Sequence, residues 1–145
     1  MLKIALFLDI DGVLNQYRHS ERIKRFENPK YKDEFDPYPK KILRLYKVLK
    51  KYNIDVHLFS AWTKEDLDTI VPFKILTDTG KYTENVNKIS LDYDLSILLD
   101  DEACCYTVND NIIKLQPNYL FGFTLQTQKD LIKIIEDFKS NQDKL

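Results

Sequence analysis

Asp9 and Asp11, one residue apart and followed at once by Gly12, are the residues of this sequence best suited to chemistry. They close a continuous apolar run, Ala5-Leu6-Phe7-Leu8. Residues i and i+2 leaving a strand project the same way, so both acids can face one small crevice. Two like charges that close repel unless a cation sits between them or one takes a proton. Gly12 suits a chain that turns sharply or approaches a ligand closely. Taken alone, the stretch reads equally well as a strand with an ordinary polar turn, because Asp and Gly are common turn formers.

The rest of the chain tips that balance. A second strongly apolar run, Leu95 to Leu99, also ends in acids: Asp100, Asp101 and Glu102. A third run, Ile54 to Phe59, ends in Ser60-Ala61-Trp62. Random polar punctuation does not readily place acid pairs at the ends of the two most apolar segments. Asp9, Asp11, Asp100 and Asp101 are hard oxygen donors, a set that suits Mg²⁺ far better than zinc. No histidine cluster competes: His19 and His57 are isolated, and His57 sits inside a strand pattern where a core role fits best. A hydroxyl at Ser60 and a cation at Lys88 add what a phosphoryl group requires, a hydrogen-bond donor and charge neutralisation. A carboxylate can attack phosphorus to give an acyl-phosphate, and a metal suppresses the anion–anion repulsion of that attack. A second carboxylate nearby can protonate the leaving oxygen and later activate water. Lys81 and Lys64 compete with Lys88 for the phosphate role; Lys88 is preferred because it lies twelve residues before Asp100, on the helix leading into that strand.

Strands must carry these tips to one place. The apolar runs 3–9, 54–59 and 95–99, with weaker segments at 73–76 and 111–115, alternate with helical patterns. Ile42, Leu45, Tyr46, Leu49 and Tyr52 recur at three- and four-residue spacing behind Pro39, which predicts a helix over 39–51. Thr63 with Asp66 resembles a capping box for a helix from 64 to about 71. Further helices are expected over 83–91, briefly through Cys104, and over 127–139. That alternation implies an α/β, three-layer Rossmann-like fold: a mostly parallel sheet of about five strands with helices on both faces. Ligands of such sheets bind beyond the carboxyl ends of the strands, where strand order reverses. Residues 15–38 are polar, basic and aromatic, broken by Pro29 and Pro37. A short helix over 20–26 fits there, and connections this long often serve as lids or binding loops.

Composition sets the class. One domain of 145 residues can bury a real core, and 43% apolar with 31% charged residues is globular rather than disordered. No apolar run approaches membrane-spanning length and no signal-peptide layout opens the chain. Cys104 and Cys105 are adjacent, cannot staple distant segments, and read as small packing residues. A reduced, cytoplasmic protein is the expectation. The net charge of −1 hides an asymmetry: residues 17–52 hold twelve Lys/Arg against five Asp/Glu, and the remainder ten against eighteen. Such a basic segment can draw in a polyanion, although a solvated helix face is the commoner meaning.

DIDGVLN, then HLFSAW, then a lysine, then ILLDDE, in that order, resemble the haloacid dehalogenase superfamily of phosphohydrolases over roughly residues 3–105. The resemblance implies that Asp9 is the nucleophile and also ligates Mg²⁺. It makes Asp11 the general acid/base, contributing a backbone carbonyl to the metal. Ser60, with Ala61 and Gly12 beside it, would bind the phosphoryl oxygens, Lys88 would steady nucleophile and phosphate, and Asp100 with Asp101 would complete the metal site. Glu102 then faces solvent or orients a metal-bound water. Trp62 is either core or a base-stacking platform, with core favoured.

Many members of that superfamily carry a sizeable cap, and this chain has room only for the 15–38 insertion; it resembles the capless group. FLDIDGVLN and SAW also look like the phosphatase-like domains attached to nucleic-acid repair proteins. A phosphorylated small metabolite or nucleotide is slightly favoured as substrate over a 3′- or 5′-phosphorylated nucleic-acid end, because net charge is near neutral and no nucleic-acid-binding motif is present. The alternative from another class is a non-catalytic phosphate- or protein-binding module on the same fold; the presence of both Asp9 and Asp11 speaks against it.

Overall fold

The structure, a computed structural model, describes residues 1–15 and 38–144. Five parallel strands form one sheet: β1 (Ile4–Leu8), β2 (Asp55–Leu58), β3 (Ile75–Asp78), β4 (Leu95–Leu99) and β5 (Ile112–Leu115), ordered β3-β2-β1-β4-β5. Among the described residues four α-helices connect and cover them: α1 (Pro39–Tyr52), α2 (Lys64–Asp68), α3 (Thr83–Ser90) and α4 (Leu125–Asp143), with a 3₁₀ turn over Ala103–Cys105. The chain moves from β1 outward through β2 to β3, then crosses back to β4 on the other side of β1. Strand order therefore reverses between β1 and β4, and the crevice expected of such a sheet opens beyond their carboxyl ends.

The apolar runs explain the layers. All five residues of β1 and of β4 are buried, as central parallel strands covered on both faces must be. Ile4, Leu6 and Leu8 face one core with Leu45 and Leu49 of α1 and Leu131 and Ile135 of α4. Ala5 and Phe7 face the other, smaller core with Val86 of α3, Leu98 and Ile112. This is the two-residue alternation of a strand read out as two helix layers on one sheet.

Element ends follow local chemistry. Pro39 opens α1, where its missing N–H costs nothing, and Asn53 in a left-handed conformation (φ 53°) closes it. The Thr63 hydroxyl accepts from the Asp66 N–H at 3.2 Å, the expected cap of α2, although that helix ends at Asp68 rather than near residue 71. β3 lies two residues later than the sequence implied, at Ile75–Asp78, and α4 is longer at both ends than residues 127–139. The anticipated helix over 20–26 and most of the lid-like insertion fall on residues 16–37, outside the described residues. No helix among the described residues is long and apolar enough to cross a membrane.

Candidate active site

The two central strands deliver the acids. Asp9 is the first residue past β1, and its N–H extends the ladder to the Leu99 carbonyl at 2.9 Å. Asp100 is the first residue past β4, with its N–H to the Leu115 carbonyl at 3.2 Å. Neighbouring parallel strands in this register set the two side chains at one sheet edge, and Asp101 follows in the turn. One carboxylate oxygen each from Asp9, Asp100 and Asp101 lies within 4.8 Å of the others. Asp9 is 1% and Asp100 0% exposed.

Such a cluster is electrostatically unfinished. The Asp9 carboxyl is held well above the usual carboxylate range, by burial first and by the Asp100 charge second, with Lys81 opposing both. Asp100 is raised too, by burial, against the pull of Lys81. Burial pushes Asp101 up to about 6. Asp9 Oδ1 and Asp100 Oδ2 are buried oxygens without a hydrogen-bond donor. Buried acceptors rarely stay unsatisfied, and three clustered hard oxygens suit a Mg²⁺ ion, which would relieve both deficits. The residues present therefore fit the metal that the sequence implied.

Among the described residues one cation reaches the cluster. Lys81 Nζ is 3.5 Å from Asp9 Oδ1 and 3.7 Å from Asp100 Oδ2. Burial works against the ammonium, but Asp9 and Asp100 outweigh it and raise the Lys81 pKa above its ordinary value. The turn after β3 aims this side chain. Asp78 Oδ1 accepts from the Gly80 N–H at 2.9 Å, Thr79 bonds back to the Leu58 carbonyl through both N–H and hydroxyl, and Lys81 itself takes φ 60°. A non-glycine residue in that region costs roughly 1 kcal/mol or more and is typical of functional positions. Phe59 and Tyr106 flank the ammonium, their ring centroids 5.7 and 5.6 Å away.

Lys88, the lysine preferred from the sequence, is not brought to the acids. It lies in the last turn of α3, which runs back from the carboxyl edge of the sheet, while Lys81 stays in the turn at that edge. At about 1.5 Å per residue, Lys88 is some two turns farther along the chain than the site.

Asp11 also departs from the expected arrangement. β1 ends at Leu8, so Asp11 belongs to a turn and the alternation of a strand does not reach it. Its carboxylate is not part of the three-acid cluster. Asp11 Oδ1 instead accepts from Trp62 Nε1 at 2.9 Å and from Asn15 Nδ2 at 3.0 Å. Asp9 and Asp11 nonetheless line the same cavity of about 300 Å³, together with Ala61, Lys81, Asp101, Glu102 and Tyr106. Gly12 takes φ 78°, and a Cβ there would collide with the Asp101 carboxylate, whose Cγ would lie at 2.6 Å. The glycine expected for a close approach thus admits an acid of the cluster. Ser60 is buried beside the site, where its oxygen accepts from the Trp62 N–H at 3.1 Å and its own proton remains available to a ligand.

Sequence reasoning missed three participants. Tyr106 gave no signal. Asn15 follows Asp11 at a four-residue spacing that a turn can close. Trp62, expected as core or a stacking platform, is buried, but its indole N–H is spent on Asp11. Comparison with protein-family models, curated proteins and solved structures gave no match.

Proposed function

We propose that the protein is a Mg²⁺-dependent phosphohydrolase that acts on phosphate monoesters through an aspartyl-phosphate on Asp9. The observation that supports this best is the convergence of Asp9, Asp100 and Asp101 on one point with the Lys81 ammonium beside two of them. A structural ion pair does not need three acids for one base, nor a cavity lined by two of those acids. The resemblance of the DIDG, HLFSAW and ILLDDE segments to the haloacid dehalogenase superfamily points the same way.

Asp9, Asp100 and Asp101 would hold the ion, with Asp11 contributing through its backbone. When bound, Mg²⁺ supplies charge neutralisation for a dianionic phosphate approaching a carboxylate. Asp9 attacks phosphorus, and the P–O bond to the leaving alcohol breaks as Asp11 gives that oxygen its proton. Asp11, now a carboxylate, takes a proton from the water that attacks the Asp9 phosphate, which releases inorganic phosphate and returns both acids to their starting forms. Lys81 and the Ser60 hydroxyl bind the non-bridging oxygens.

A small phosphorylated metabolite or nucleotide is the favoured substrate over a nucleic-acid end. α1 starts at the carboxyl edge, where the Tyr38 N–H meets the Leu14 carbonyl, and runs away from it. Lys50 and Lys51 in its last turn are thus roughly 15 Å or more from the edge that carries the acids, so these two lysines add no charge at the site.

The test is turnover of an aryl phosphate with Mg²⁺, compared with Asp9→Asn. Loss of turnover in the variant and in chelator is expected; equal rates remove Asp9 from the reaction. A phosphorylated oligonucleotide compared with mononucleotides over a salt series then decides the substrate class: preference for the oligomer that shrinks as salt rises overturns the small-molecule assignment.

A further inference from the structure

We infer that Trp62, through its indole N–H, is the positioning residue for the general acid, fixing Asp11 so that Oδ2 is the oxygen that hands its proton to the leaving group. The inference rests on the phosphohydrolase proposal above and assigns a role within that same site.

Two donors meet at one oxygen. Asp11 Oδ1 accepts from Trp62 Nε1 at 2.9 Å and from Asn15 Nδ2 at 3.0 Å. The Asn15 amide can be oriented in only one way, because its Oδ1 accepts from the Gly12 N–H at 3.0 Å. Asn15 is fully buried, which fixes that orientation by packing as well. Among the described residues no donor engages Asp11 Oδ2. An oxygen that already accepts two N–H bonds is a poor seat for a proton, whereas the other oxygen of the same carboxyl accepts from no described donor, and Asp11 lines the cavity. The two donors therefore select both the rotamer of Asp11 and the oxygen that carries its proton.

Trp62 is well built for this task. It is 8% exposed, and its backbone N–H donates to the Ser60 hydroxyl oxygen at 3.1 Å. One residue thus ties the hydroxyl expected to hold the phosphate to the acid expected to protonate the ester oxygen. The indole has a single, rigidly directed donor and no acceptor, so it cannot take the Asp11 proton itself. A core tryptophan needs only some partner for its N–H; here that partner is an acid 51 residues away at the cavity wall.

The test compares Trp62→Phe with wild type on two monoesters. One leaves as an acidic nitrophenol, which departs without help; the other leaves as an aliphatic alcohol, which must be protonated. The readout is kcat/KM, which covers steps up to the first phosphoryl transfer. General acid catalysis contributes roughly 10²–10⁴-fold, so loss of one of two positioning bonds is expected to cost about 10–100-fold on the alkyl ester and less than about threefold on the aryl ester. Equal losses on both esters, or no loss on either, overturn the inference. Activity retained in Asp9→Asn instead removes the phosphohydrolase proposal and this inference with it. A second measurement does not depend on turnover or on the folding of the Phe variant. The chain has one tryptophan, so its indole N–H gives a single NMR resonance. Asp11→Ala is expected to move that resonance upfield, and an unchanged position overturns the assignment.

Discussion

Replacing Lys81 by Met, with Lys88→Met as its partner experiment, separates the two lysines that the sequence left in competition. At an effective dielectric of about 20, a unit charge 3.5 Å from Asp9 and 3.7 Å from Asp100 gains roughly 4–5 kcal/mol from each carboxylate. Burial of the ammonium and of both acids takes most of that back, and the Lys81 side chain keeps 30% of its exposure, which screens what is left. A net loss of about 1–3 kcal/mol is expected for the metal-free Lys81→Met protein in urea denaturation. Metal binding should change in the opposite sense. The variant lacks a cation beside two of the three ligand oxygens, so Mg²⁺ should bind about tenfold tighter or better by calorimetric titration, since removal of one like charge is worth at least about 1.4 kcal/mol here. Turnover should nevertheless fall by about 10²–10³-fold, because the phosphate loses its fixed positive partner. Lys88→Met should change none of the three quantities appreciably. The reasoning fails if Lys88→Met costs as much turnover as Lys81→Met, or if Lys81→Met weakens Mg²⁺ binding.

Three further outcomes follow from the same geometry. Gly12→Ala places a Cβ against the Asp101 carboxylate at a backbone φ of 78°, so it should cost about 1–2 kcal/mol of stability and also weaken Mg²⁺ binding; a stability loss with unaltered metal affinity contradicts the contact. Asp101→Asn removes one of three crowded acids, so at neutral pH in chelator it should stabilise the protein by about 1 kcal/mol while abolishing the Mg²⁺ response; a destabilised variant argues against repulsion in the cluster. His57, buried against Phe7 and bonded to Thr77 and Tyr93, has a pKa lowered by burial, with Asp55 countering only in part. The unfolded chain therefore takes up a proton that the native state resists, and stability rises as pH increases from that lowered pKa to about 6.5. His57→Phe should flatten this slope in urea melts followed over pH, and an unaltered slope shows that another group titrates there.

The fold was readable where burial is symmetrical. β1 and β4 are covered on both faces, so each appears as an unbroken apolar run, and the acids at their tips announced the carboxyl edge. β3 is an edge strand whose Leu76, Thr77 and Asp78 are exposed; its apolar signal ends early, which is why it seemed to lie two residues nearer the N-terminus. α4 runs on through the polar residues Ser140 to Asp143, which add nothing to a buried stripe. Lys81 could not be ranked above Lys88 for a different reason. It sits in a turn that takes left-handed backbone at Gly80 and Lys81 in succession, and no periodicity describes such a segment. The bond between Trp62 and Asp11 joins positions far apart in sequence, and only the pairing of β1 with β2 brings them together. A side chain read as core can be both buried and spoken for by an acid, and composition does not distinguish the two.

Acid-quenched protein, taken during turnover of an aryl phosphate with Mg²⁺ and mapped by mass spectrometry, tests the central claim most directly. One phosphoryl group on Asp9 is the expected result, absent in chelator and absent from Asp9→Asn. A phosphoryl group on any other residue, or steady turnover with none trapped on Asp9, contradicts the account.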